Sequence, residues 1–284
     1  MSILNAKIKD QYRTSGLFED ICIKLEQKGI DLSKVSRADI SGVDEFHVRG
    51  SEVSNELVNE IYLKDTKVLD IGCGLGGPSR MLADRFNSHV TGIDLSEEYI
   101  RTAQKLSELV GLAKKTAFIQ ADALSLPFED SSFDVVWTQH VQMNIENKTK
   151  FYAEINRVLR DEGALVYYDI FKNGEKEITY PLPWANNASV SFLESFKLMD
   201  ALLKNLGFEK LQTTDQTFKA KQFLINIRDK NKKNGPPAIG LNLLMGNLTM
   251  KKLGNILKGI EENKIELHSG IYKKKSAENN AGEF

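Results

Sequence analysis

Asp70 sits inside the apolar run Val68-Leu69-Asp70-Ile71 and is followed at once by Gly72, Gly74, Gly76 and Gly77. Glycine has no Cβ and tolerates positive φ, so such a loop lets a ligand touch main-chain amides at the start of a helix. A carboxylate beside it attracts positive charge. Asp94 ends a second run, His89-Val90-Thr91-Gly92-Ile93-Asp94. It lies roughly 20 residues after the glycines, where a doubly wound fold puts the acid that binds ribose hydroxyls. Asp122 ends a third run, Phe118 to Ala123, and suits an adenine amino group; a fourth, Ser132 to His140, carries Gln139 and His140 to the same edge. Acids and an amide at successive strand ends describe a site for a nucleoside that carries positive charge.

Gly72, Gly74 and Gly77 also satisfy the G-x-G-x-x-G dinucleotide pattern. Asp70 separates the two readings, because its charge would repel a pyrophosphate and welcome an ammonium and a sulfonium. The expected cofactor is therefore S-adenosylmethionine rather than NAD. Its expected contacts are Asp70, Gly72, Cys73, Gly74, Gly76, Asp94, Leu95, Asp122, Ala123 and Gln139.

These residues need an alternating strand and helix frame to hold them. Val68 to Ile71 reads as a buried parallel strand, and Ser79 to Phe86 has the apolar spacing of a helix. Ser96 is the expected N-cap of a helix that runs to about Val110, stopped by Gly111. Ala164 to Ile170 reads as a fifth strand, Phe192 to Leu206 as a helix, Gly207 to Thr214 as a sixth strand and Ile265 to Tyr272 as a seventh. Helical spacing before the first strand predicts an N-terminal helical cap over 1–63 ahead of a core over 64–215. Residues 216–262 read as a helical insertion that covers the site, since a structureless loop of that length would be out of place. The last core strand is expected over 263–275 and a disordered tail over 276–284.

At this point the chain resembles the class I S-adenosylmethionine-dependent methyltransferases. The matching residues are Asp70 to Gly77, Gly92 to Ser96, Asp122-Ala123 with Leu126-Pro127-Phe128, and Phe133 to Val136. Arg157 to Ala164 continues the likeness, although Asp161-Glu162 replaces the proline usual in that turn. The resemblance implies a Rossmann-like seven-stranded sheet with helices on both faces and strand seven antiparallel between strands five and six. Asp44 to Gly50, Gln139 to Ile145, Tyr180 to Ala185 and Gly235 to Leu241 are similar to a small-molecule branch that acts on glycine, sarcosine and dimethylglycine. That branch implies methyl transfer to an amine such as sarcosine or dimethylglycine. A C- or O-methyltransferase of a lipid-like or ring metabolite is the alternative, favoured if the pocket proves mainly apolar.

The acceptor pocket is expected to use Phe46, His47, Arg49, Met143, Tyr180 and Trp184, with His140 as the catalytic candidate. Each has a plainer reading. His140 has the role of orienting a neighbour, His47 and Arg49 pack a loop, Trp184 is buried under the lid, and Met143, like Met245, fills core space. The histidines are scattered without an acid cluster, so no metal is expected.

With 38 basic and 39 acidic side chains the net charge is −1, which gives no global drive toward nucleic acid or an anionic membrane. Lys230 to Asn234 and Lys273 to Lys275 read as solvated surface charge. No run approaches the roughly 20 apolar residues of a membrane span. Two cysteines, Cys22 and Cys73, have neither disulfide nor metal spacing, and the first ten residues do not resemble a secretory signal. A cytoplasmic monomer or homodimer acting on a small molecule is the expectation.

Overall fold

Short apolar runs bounded by turn residues pair into one sheet, and the amphipathic stretches between them cover both of its faces. The computed structural model describes residues 3–11 and 15–276. Its strands are β1 (Lys67–Ile71), β2 (His89–Asp94), β3 (Thr116–Gln120), β4 (Phe133–Gln139), β5 (Leu159–Lys172), β6 (Phe208–Asp215) and β7 (Ile265–Lys274). They are ordered β3-β2-β1-β4-β5-β7-β6. The pairs among β1 to β5 are parallel, and β7 lies antiparallel to both β5 and β6. This is the Rossmann-like seven-stranded sheet expected, with β7 in the expected place.

Helices α1 (Ile3–Gln11), α2 (Leu17–Gln27), α3 (Arg37–Asp44) and α4 (Ser51–Leu57) precede the sheet. Within it run α5 (Gly77–Phe86), α6 (Glu97–Leu109), α7 (Lys148–Val158) and α8 (Phe196–Asn205). Between β6 and β7 come α9 (Thr217–Asn234), α10 (Asn242–Met245) and α11 (Thr249–Glu261). Alternation along the strands sorts side chains to two cores. Val68, Val90, Val135, Trp137 and Val166 pack on one face with α5, α9 and α11. Leu69, Ile93, Val136, Leu165 and Tyr167 pack on the other with α7 and α8.

Several boundaries differ from the sequence reading, each for a local reason. The third strand ends at Gln120 rather than Ala123, because Asp122 Oδ1 accepts from Leu124 N (2.9 Å) in a tight turn. β4 stops at Gln139, where His140 takes φ 54°. β5 starts at Leu159 rather than Ala164, since Phe133 pairs with Leu159 before the register shifts and resumes at Val135 with Ala164. The helix expected from Phe192 begins at Phe196, capped by the Ser195 side chain, while Phe192 N is held by Met143 O at 2.8 Å. The expected tail lies, apart from Ser276, outside the described residues.

Candidate active site

The turn after β1 builds the floor of a crevice. Gly72, Gly74 and Gly76 have φ of 70°, 54° and 84°, a region that suits glycine. Gly72 N and Cys73 N donate to Ile93 O at 2.8 and 3.0 Å, which ties the loop to β2. Gly72 has no room for a side chain, as a Cβ there would come within 2.3 Å of Val141 Cγ2. At Gly74 a Cβ would meet nothing within 4 Å, so this stretch of backbone faces open space. Asp94, at the end of β2, accepts from Gly74 N (3.2 Å) and Ser96 N (2.8 Å).

The crevice encloses about 130 Å³. Asp70, Gly72, Cys73, Gly74, Asp94, Leu95, Asp122, Ala123, Gln139 and His140 all line it. Gly76 does not. Its Cβ would lie 2.6 Å from the Phe118 ring and 2.9 Å from Arg80 Nη1, so this glycine permits a close packing contact instead of a ligand contact. Asp122 is engaged from above, with Oδ2 accepting from Asn5 Nδ2 at 2.7 Å, and Leu4, Asn5 and Ile8 of α1 complete that wall. Tyr99 and Asp44 also line it, and neither was legible as a site residue. Gln139 is fixed because Trp137 Nε1 donates to its Oε1 at 2.8 Å.

Asp70 is 2 % exposed, and burial pushes its carboxyl up to about 7 although Ser79 Oγ donates to it at 2.6 Å. Without a ligand this shift contributes stability below the ordinary carboxyl value of 3.8 that is lost as pH rises through about 7. A cationic ligand reverses the preference, since it needs the ionised carboxylate. Affinity for S-adenosylmethionine should therefore rise with pH, being about thirtyfold weaker near pH 5.5 than near pH 8.5 by single-site proton linkage. Calorimetry of Asp70→Asn should show that slope flattened. An unchanged slope would remove Asp70 from the cation's neighbourhood.

A second cavity of about 50 Å³ shares Phe46, His47 and His140 with the crevice. Met143 and Trp184 line it, joined by Phe223 and Ile227 of α9, Met245 of α10, and Leu253 and Ile256 of α11. The helical residues were unreadable as a site, because apolar spacing that faces a chamber is the same as apolar spacing that faces a core. Met245, read as core, is one of them. Trp184 is buried, with Nε1 donating to Ser191 Oγ at 3.0 Å.

Two expected acceptor residues line neither cavity. Arg49 is turned into a polar cluster, donating to Glu56 Oε1 (2.6 Å) and Gln216 Oε1 (2.8 Å), and is consumed there. Tyr180 packs against the main apolar cluster. Among the described residues no group of three His, Cys, Asp or Glu is placed to hold a metal, and no helix is long and apolar enough to cross a membrane.

A doubly wound sheet whose strand ends carry acids, an open glycine backbone and an adjoining chamber defines a nucleoside-cofactor enzyme class. Residues 69–167 match the family model described as "Methyltransferase domain". The chain is 34% identical to tocopherol O-methyltransferase of Arabidopsis thaliana over 65% of its own length and 55% of that protein. It resembles the structure of a sarcosine dimethylglycine methyltransferase from Galdieria sulphuraria, with TM-score 0.68 and 20% identity, covering 90% of this chain and 98% of that one. It also resembles geranyl diphosphate C-methyltransferase from Streptomyces coelicolor A3(2), with TM-score 0.69 and 15% identity over 96% and 98% of the two chains. The chain spans about half the length of the first curated relative that it matches. Residues 69–167 therefore carry a methyltransferase domain, and S-adenosylmethionine is the cofactor of that family. The open backbone at Gly74 and the acids Asp70, Asp94 and Asp122 fit that molecule.

Proposed function

We propose that this protein transfers the methyl group of S-adenosylmethionine to a small, uncharged and largely apolar acceptor. One observation carries the reading of the acceptor. The chamber beside the cofactor crevice is lined by carbon side chains from Phe46, Val48, Met143, Trp184 and the lid helices, with His47 and His140 at the junction. Among the described residues it offers no charged partner for the carboxylate of an amino acid, and Arg49, the group suited to that task, is occupied by Glu56 and Gln216. This supports the ring or lipid-like alternative over the sarcosine-type acceptor that the sequence favours. The acceptor named for the tocopherol enzyme is of that general kind, which supports the reading.

The cofactor supplies an activated methyl group on sulfur. What the chain contributes is orientation and dryness, effects that lower a barrier by about 7–11 kcal/mol through positioning alone. A labelled-donor screen of small phenols, prenyl alcohols, glycine, sarcosine and dimethylglycine tests the assignment. Turnover is expected with the apolar hydroxyl compounds and at least about a hundredfold less with the amino acids, since a buried charge left without a partner costs about 3–5 kcal/mol. Preference for sarcosine would overturn it.

A further inference from the structure

We propose that His47, backed by Glu45, is the proton acceptor of this site, and that the molecule it serves is an apolar compound presenting a hydroxyl group. The proposal rests on the methyl-transfer reading above and assigns a role that the strand-end histidine, His140, would otherwise be given.

The case begins with the tautomer. His47 lies in the segment between α3 and α4, is 6 % exposed and lines both cavities. Its Nε2 is 2.9 Å from Gly50 O. A carbonyl oxygen only accepts, so this shortest contact puts the proton on Nε2; the Gln139 amide nitrogen, 3.2 Å from the same atom, has Ser54 Oγ as its acceptor at 3.2 Å instead. Glu45 Oε2 lies beside the same nitrogen at 3.3 Å, and Ser54 Oγ donates to that carboxylate at 2.9 Å. The lone pair of the neutral ring is then on Nδ1. That atom has no hydrogen-bond partner among the described residues and is not sealed in by protein. A carboxylate, an oriented imidazole and an unpartnered nitrogen on a ring that lines both cavities are the elements that activate a hydroxyl.

His140 lacks these supports. Its Nε2 is enclosed without a partner, its ring lies 4.9 Å from that of Tyr168, and no carboxylate among the described residues bears on it. His140 is partly exposed and lines both cavities, but a proton taken at its enclosed Nε2 would have no hydrogen-bond partner among the described residues to balance it. His140 is better placed as a wall that orients the acceptor.

The acceptor class follows. A neutral amine already presents its lone pair and needs no base, whereas a hydroxyl must lose a proton as it attacks. In the balanced step the O–H bond breaks toward Nδ1, the oxygen forms the new bond to the methyl carbon, and the pair of the S–C bond leaves with sulfur. The positive charge passes from sulfonium to the His47 imidazolium, beside Glu45, and solvent receives the proton after release. Burial pushes the Glu45 carboxyl up to about 7 and holds the His47 ring down to about 4. The groups around the pair are Asp44 and Asp70, which raise Glu45, the Ser54 hydroxyl and Arg37, which lower it, Arg49, which opposes a charged His47, and the rings of His140 and Tyr168 at 5.9 and 6.0 Å. Activity should thus rise with pH through about 7 as Glu45 ionises.

The first test needs neither cofactor nor turnover. Histidine nitrogen NMR of the cofactor-free protein should show His47 as the Nε2–H tautomer, and added 4-nitrophenol should move its Nδ1 signal. An Nδ1–H tautomer overturns the proposal whether or not any variant folds. With folded variants, His47→Asn should lower kcat for a small phenol about a hundredfold, with KM changed less than about threefold. Glu45→Gln should lower kcat and abolish the rise near pH 7, while His140→Gln should act mainly on KM. Loss of kcat in His140→Gln with His47→Asn unaffected would overturn the assignment. Turnover of amines that is indifferent to His47 would overturn the acceptor class alone. Absence of transfer to every acceptor, with cofactor bound, would instead overturn the methyl-transfer reading beneath it.

Discussion

An Asp94→Ala variant is expected to bind S-adenosylmethionine at least about a hundredfold more weakly than the natural chain, because hydrogen bonds to a charged group contribute about 1.5–3 kcal/mol each. Asp94 closes β2 with one oxygen on Gly74 N at 3.2 Å and the other on Ser96 N at 2.8 Å. The first bond sets the glycine backbone that faces open space, and the second starts α6. A ribose presents two hydroxyls, and a single carboxylate at a strand end can accept from both. Alanine removes these acceptors together and lets the loop relax. Asp94 is only partly buried, so no stranded charge or sizeable hole results, and the thermal melt should stay close to that of the natural chain. Asp94→Asn keeps one acceptor oxygen and should fall between the two. Calorimetry with S-adenosylmethionine and with its demethylated product checks the point, and equal affinity in the alanine variant would place the nucleoside elsewhere.

The parts of this site that could be read from the chain alone are those in which local spacing and position coincide. An acid next to glycines after a buried strand needs no tertiary information, and Asp70, Gly72, Gly74, Asp94, Asp122 and Gln139 all line one crevice. Ser96 was equally legible as a cap, and its side chain accepts from Tyr99 N at 3.3 Å. What resisted reading depends on partners distant in sequence. Arg49 looked like an anion ligand because nothing nearby in the chain reveals Gln216, which takes its Nη1 at 2.8 Å. Gly76 belongs to a glycine-rich turn, yet the reason it must be glycine is Phe118, on a strand two crossovers away. Lid residues such as Phe223 and Ile227 have the periodicity of ordinary core, and only their placement over His47 and His140 makes them part of a chamber. Glu45 drew no attention as one acid among 39 acidic side chains, until burial and the ring of His47 gave it a distinct environment.

Arg80→Ala should destabilise the protein by about 3–5 kcal/mol, the cost of removing one partner from a buried ion pair. Against a total of about 5–15 kcal/mol for a folded domain, that is a large share. Arg80 on α5 is 0 % exposed and donates to Leu75 O (2.5 Å), Ala103 O (3.2 Å) and Ser107 Oγ (3.2 Å), as well as to Asp44 Oδ1. Asp44 is the last residue of α3, where the carbonyl ends of the helix disfavour a negative side chain, so it relies on the guanidinium. The pair therefore joins the helices before the sheet to the glycine loop and to α6, and no local pattern in the chain announces it. Backbone is equally close here, since a Cβ on Gly77 would lie 2.1 Å from Asp44 O. Because Asp44 also lines the crevice, loosening this pair should weaken cofactor binding along with the fold. The double variant Arg80→Met/Asp44→Leu separates charge from shape: with no unpaired ion left, it should recover most of the lost stability in a denaturant titration. Recovery of stability without recovery of cofactor affinity would show that Asp44 serves the ligand as well as the loop. A double variant as unstable as Arg80→Ala would instead assign the loss to the bonds with Leu75, Ala103 and Ser107, and the ion pair would cease to be the joint between cap and core.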